Sequence, residues 1–171
     1  MIVTENVYRN FATTVNLLTS VSARGEQNIM ACEWTMNVSF NPLDVMVVVG
    51  KKKYTHELIL ETQQFGVNMC AQEQAGLAHL AGDVSGRESD KCSAPIFKDV
   101  LYPAQQIKPM LVRGCFLNAE CVVERTVDMG KYTGFVGRAV VQQANPDLIP
   151  LLYHQGKYFS MGGRIPKPAE T

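Results

Sequence analysis

The stretch VVERTVDMGKYTGFVGRAVVQQ, Val122 to Gln143, decides the fold. Both arms are rich in β-branched residues, and Met129 and Gly130 sit between them as a turn. Extended arms joined this tightly make an antiparallel hairpin, because parallel strands need a long crossover. The pattern predicts strands over 112–127 and 132–143.

Working outward, the same logic recurs. TTVNLLTSV (Thr13 to Val21) is β-branched and partly alternating, and SARGEQ turns the chain at Gly25. NIMA (Asn28 to Ala31) returns as the second arm. MNVSFNP is a short extended piece stopped by Pro42, and DVMVVVG (Asp44 to Gly50) reads as a buried strand. A helix follows, with Thr55 as its cap and Leu58 and Ile59 facing inward. FGVNMC (Phe65 to Cys70) is a further strand, and QEQAGLAHLAG a short helix ending near Gly82. The segment 93–109 is irregular and proline-punctuated. LLYHQGKYFSMGG reads as a last strand, and residues 163–171 as a frayed tail. About seven strands, several joined by hairpins, with two or three short helices, favour an antiparallel barrel or sandwich.

The chain has 171 residues, enough for a single domain with a core of its own. Sixteen basic and sixteen acidic side chains balance, which argues against a nucleic-acid binder that relies on global positive charge. The longest aliphatic run, VMVVV, is too short to span a bilayer, and the first residues lack a secretory core. These readings predict a soluble, cytoplasmic protein without a membrane partner. The five cysteines form no CxxC pair, so reduced, buried thiols are expected. In one continuous strand, Cys115 and Cys121 would share a face.

Several chemistries have no signature. No GxGxxG follows a strand, no GxSxG elbow occurs, and His56, His79 and His154 lack metal-ligand spacing. His56 and His79, on expected helices, read as packing or surface residues. An enzyme without an evident acid–base or nucleophilic set relies on a bound cofactor. The loop VSGRESDK (Val84 to Lys91) lacks a P-loop ending. Taken alone it reads as a solvated loop, with its basic residues paired to Glu88 and Asp90, or as a cradle for an anion.

The ordered set NIMACEWTMNVSFNP, KKKYTHELI, FGVNM, SGRESDK, YTGFVGRAV and YHQGKYF resembles the flavin reductase-like family, close to the flavoredoxins. The resemblance runs from Phe11 to Gly162. It implies an antiparallel Greek-key split barrel that dimerises and binds FMN, with NAD(P)H as co-substrate and a small molecule or a protein as electron acceptor. Lys53 and Thr55 match the family's strand-to-helix signature, and Lys91 the lysine of its DK pair. Ser85 and Arg87 add the hydroxyl and the cation that a phosphate dianion needs. Asn28, Trp34, Thr35, Met36 and Asn37 match positions that line the flavin, and Phe159 matches a late aromatic that covers it. Aligned on Phe135, Val136 and Gly137, Tyr132 stands where many members carry a histidine beside the flavin or nicotinamide. Tyrosine stacks and donates a hydrogen bond, but does not titrate near neutrality. The resemblance thus implies an FMN-dependent reductase or electron carrier, and the tyrosine keeps open a flavin-binding sensor or storage protein.

Overall fold

The computed structural model describes residues 5–165; the tail beyond lies outside the described residues. A 3-10 turn, Val7–Asn10, precedes β1 (Thr13–Thr14), β2 (Asn16–Val21), β3 (Gln27–Cys32), β4 (Thr35–Phe40) and β5 (Leu43–Gly50). Helix α1 (Tyr54–Thr62) leads to β6 (Gln64–Met69), and α2 (Ala75–Asp83) to the short α3 (Pro95–Lys98). Strands β7 (Leu101–Tyr102), β8 (Leu111–Val112), β9 (Leu117–Met129), β10 (Tyr132–Ala144), β11 (Leu151–His154) and β12 (Lys157–Ser160) complete the chain.

The decisive hairpin is β9–β10. Met129 lies opposite Tyr132, and Gly130 takes φ 69° in the turn. Around it a seven-stranded sheet runs β3-β2-β6-β9-β10-β5-β4, antiparallel throughout. Its two edge strands, β3 and β4, are joined by only Glu33 and Trp34. So short a link forces the two edges together, and the sheet must curl. Trp34 O accepts from Val48 N at 2.9 Å beside the gap. The result is a split barrel, open along β3.

Leu18, Val47, Val49, Phe65, Cys121 and Phe135 fill the barrel interior. A second core, with Leu17, Ile29, Cys70, Phe97 and Leu151, lies under α2, α3 and the β11–β12 hairpin. His56, on α1, has its Nε2 2.8 Å from Thr133 Oγ1 and packs edge-on against Phe135. Burial, with Lys51 adding to it, holds this imidazole below its ordinary pKa. The expected packing role for His56 is what the structure contains.

Four local expectations need correction. Thr55 is not the cap of α1: Lys53, extended at φ −78° and ψ 141°, holds that position and its carbonyl accepts from His56 N. The segment from Val112 is two strands, because Gly114 turns the chain at φ 77° before β9 begins. Cys115 and Cys121 therefore fall in different cores instead of sharing a face. The expected last strand is a hairpin, turned by Gln155 (φ 49°) and Gly156 (φ 78°).

All five cysteines are free. Burial pushes Cys32 up to about 11, Cys92 to about 11 and Cys115 to about 12, and raises Cys70 and Cys121 as well. Folded protein at pH 8 should therefore react with Ellman's reagent slowly, with the half-buried Cys92 first. A thiol released within the mixing time would contradict this.

Candidate functional site: a groove along the open edge of the barrel

Among the described residues strand β3 pairs only with β2, so its other edge offers free amides and carbonyls. A run of hollows follows that edge. The first is a cleft of about 440 Å³ lined by Asn28, Lys53, Thr55, Ser85 and Lys91, among others. These residues come from three separate parts of the sequence. Ala31, Gly82 and Asp83 are shared with a hollow of about 280 Å³. Glu33 and Tyr153 join that hollow to a cleft of about 780 Å³ at Trp34, Thr35 and Met36. From Asn28 to Trp34 the groove tracks about 20 Å of extended chain, at ~3.3 Å per residue.

The first cleft is built by one hydrogen-bonded junction. Asn28 is buried, and its Nδ2 donates to Ser20 Oγ at 3.1 Å and to Thr55 Oγ1 at 2.8 Å. The Thr55 oxygen is thereby an acceptor from within, which frees its own proton for the cleft. The amides of Tyr54 and Thr55, which open α1, have no intrahelical partner, and no side chain of the described residues caps them. Gly86 crosses so close that a Cβ there would overlap Asn28 Oδ1. This close approach brings the 85–91 loop onto β3 and α1.

Lys91 is neither solvated nor paired with an acid of its own loop. It is 8% exposed, and its Nζ donates to Ala81 O at 2.7 Å and Val84 O at 2.8 Å. It closes the C-terminal end of α2 onto the loop, and one N–H remains for the cleft. Burial lowers its pKa, and the nearby Lys53 acts in the same direction. Asp90 is not its partner: that carboxylate accepts from Ser93, through both the amide and the hydroxyl.

Arg87 faces a neighbouring cleft instead. It pairs with Glu57, not Glu88, and lies 5.1 Å from the Tyr54 ring centroid. At the far end, Trp34 and Tyr132 meet edge-on, with centroids 5.0 Å apart. Both are partly exposed. Asn37 lies on β4 opposite Val45, outside the groove lining. Phe159 packs near His154, at 6.1 Å between centroids, while Tyr158 turns the other way onto Tyr153. The structure thus gathers Asn28, Lys53, Thr55, Ser85 and Lys91 at one end of the groove, and Trp34, Thr35 and Met36 at the other. Arg87, Asn37 and Phe159 stand apart.

Met30, Tyr54 and Gly86 also line the first cleft, though none was expected from the sequence. Gly86 is the one with a readable signal, a glycine between a serine and an arginine. Met30 and Tyr54 carry none, because their part depends on which edge of β3 is left free. Among the described residues no cluster could hold a metal ion, and no helix is long and apolar enough to cross a membrane.

Comparison with known proteins agrees with this geometry. The family model described as a flavin reductase like domain matches residues 8–162. A protein of Archaeoglobus fulgidus is 32% identical over 68% of this chain, which spans 65% of that relative's length. The NADH-dependent flavin reductase StyB of Pseudomonas fluorescens is 29% identical over 86% of this chain and 82% of its own. The flavoredoxin of Methanosarcina acetivorans superposes with a TM-score of 0.81 and 25% identity, over 100% of this chain and 96% of its own. With the split barrel, the groove on its open edge and a family match across nearly the whole chain, this protein belongs to the flavin reductase-like family of oxidoreductases.

Proposed function

We propose that the chain binds FMN along the β3 groove and passes reducing equivalents from NAD(P)H to an acceptor. The observation that carries this reading is the convergence of Lys53, Thr55, Ser85 and Lys91 on one cleft. Two ammonium groups, two hydroxyls and the open amides of α1 are the donors that a phosphate monoester requires. The groove then runs along a free strand edge, whose N–H and C=O groups match the polar rim of an isoalloxazine. Trp34 closes its far end with aromatic surface, and Tyr132 packs edge-on against Trp34.

The bound flavin supplies the hydride-accepting chemistry. The chain's part is to hold it. Lys53, Lys91 and Thr55 fix the phosphate, β3 fixes the ring edge, and Trp34 limits how the ring can slide. Tyr132 offers a phenol for stacking or hydrogen bonding where a histidine would offer a titrating group. A phenol shuttles protons poorly at neutral pH, so the tyrosine favours slower turnover or, as the second reading, flavin binding without it.

The same reading includes a homodimer. Among the described residues strand β4 is a sheet edge pairing only with β5, and Met36, Val38 and Phe40 on it are exposed, Phe40 at 87%. An apolar edge of this kind needs cover. Sedimentation should show a dimer at micromolar concentration.

The test is an absorption spectrum with identification of the extracted cofactor, followed by anaerobic addition of NADH and NADPH. Bound flavin that bleaches with either donor is the expected result. Flavin that stays oxidised with both supports the binding-only reading. Protein that holds no flavin and takes up none on titration overturns both.

A further inference from the structure

Between the phosphate cleft and Trp34 lies the hollow of about 280 Å³, and a histidine, His79, lines it. Ala78, His79, Gly82 and Asp83 recur at helical spacing, so one face of α2 looks across this hollow at β3. The packing is close: a Cβ on Gly82 would meet Ala31 Cβ at 3.4 Å. His79 Nε2 lies 3.9 Å from Asp83 Oδ2, one turn further on, and both side chains are more than half exposed. The surface reading of His79 therefore holds for its exposure, while its surroundings are those of the groove.

We propose that His79 holds the proton that balances the charge of the reduced flavin, so that the reduction potential of the protein follows the charge of this one side chain. This rests on the flavin reading above. With the phosphate among Lys53, Thr55 and Lys91, the ring falls along residues 31–34, the stretch that α2 faces. In the step, a C–H bond of the dihydronicotinamide breaks with its electron pair, and a bond to the ring forms. Two electrons and one proton arrive together, NAD(P)⁺ leaves, and the ring gains one net negative charge. Solvent supplies one proton to His79, so the hollow as a whole gains no charge. When the electrons pass to the acceptor, that proton is released.

The other groups around the hollow make the histidine necessary. Its two further charged residues are both acids, Asp83 and Glu33, and Glu33 makes no ion pair among the described residues. Cys32 stays a thiol, since burial pushes it up to about 11. Burial also raises Tyr158, which packs against Tyr153 on the β11–β12 side. Two carboxylates beside a ring that becomes anionic oppose its reduction, and a cation on the same wall offsets them. Histidine is the side chain whose ordinary titration spans neutral pH. Asp83 is its positioning residue: a carboxylate one turn away favours the charged imidazole. In open water such a pair is weak, but a ring laid in the hollow excludes water and strengthens it.

Linkage fixes the direction of the effect. An anionic ring makes His79 bind its proton more tightly than a neutral ring does. Reduction is therefore helped on the acid side, where His79 is charged, and loses that help as the pH rises. One charge across a partly wet hollow changes the ratio of reduced to oxidised flavin about tenfold, or about 30 mV for a two-electron couple.

Anaerobic redox titration of the FMN-loaded protein at pH 5.5 and at pH 9 tests the proposal. His79→Gln should lower the potential by about 30 mV at pH 5.5 and leave it unchanged at pH 9. His79→Lys keeps a charge at both values, so it should match the wild type at pH 5.5 and raise the potential by about 30 mV at pH 9. An equal shift at both pH values in His79→Gln overturns the proposal, because packing and not a proton then sets the effect. No shift at either pH, or a His79→Lys potential at pH 9 equal to that of the wild type, overturns it too. In each of these outcomes the flavin is bound and the FMN reading stands. Wild-type protein that takes up no flavin overturns that underlying reading instead.

Discussion

Lys91→Met is expected to lower the unfolding free energy by about 3 kcal/mol and to weaken FMN binding by at least about tenfold. The ammonium donates to Ala81 O and Val84 O, where α2 ends and the loop begins. Methionine nearly fills the same volume but donates nothing. Two carbonyls are then left without their donor, and each buried, unpaired acceptor costs about 1–3 kcal/mol. Partial hydration of the loop relieves some of that sum. The same loop carries Ser85 and Gly86 onto Asn28 and Thr55, so loosening it disperses the donors of the cleft. Urea denaturation reads the first effect through the midpoint at unchanged slope. Parallel titrations with FMN and riboflavin read the second. Loss confined to FMN assigns Lys91 to the phosphate, whereas equal loss for both ligands makes it a purely structural clamp.

Glu120→Ala is the second large effect, at about 4 kcal/mol of stability. Glu120 is 1% exposed on β9 and makes no ion pair among the described residues, yet its carboxylate accepts from three consecutive amides. Gln105 N lies 2.7 Å from Oε1, and Gln106 N and Ile107 N lie 2.6 and 3.2 Å from Oε2. A buried charge is tolerated here because oriented backbone dipoles replace water. Alanine strands those amides and opens a cavity. Glu120→Gln keeps the shape but turns an NH₂ toward donors, so it should cost about 2 kcal/mol. Denaturant midpoints give the ranking of the two variants. Limited proteolysis should cut first within residues 103–109, and wild-type resistance of that segment in both variants would contradict this account.

These two residues also show where reading the chain residue by residue stops. Lys91 was visible as part of a charged loop, and its chemical type pointed to an anion. Its burial was not visible, because no feature of SGRESDK announces that α2 ends within reach of its side chain. Glu120 carried no signal at all: an acid in an alternating strand usually points to water. Only the crossing of 103–109 over β9 puts three amides around it. Thr55 illustrates the middle case. Its place in the cleft was legible from the family signature, while its bond with Asn28 in place of a capping role depended on how β3 packs against α1.

Local patterning sufficed for what repeats along the chain. The alternation in 122–143, the turn at Gly130 and the apolar runs of β5 and β6 determine an antiparallel sheet, since the period of two leaves one face to bury. The ordered motifs determine the family, and residue types alone name the donors of an anion site. Tertiary structure decided what those motifs do to one another. The two-residue link at Glu33 and Trp34 brings the edges of the sheet together and leaves β3 with a free side. That free side aligns the clefts, while the Arg87 side chain turns onto Glu57 and Tyr54 and Asn37 and Phe159 lie outside the lining. The physical reason is that strand propensity and burial pattern act over a few residues. Which edge stays unpaired depends instead on the closure of the whole sheet.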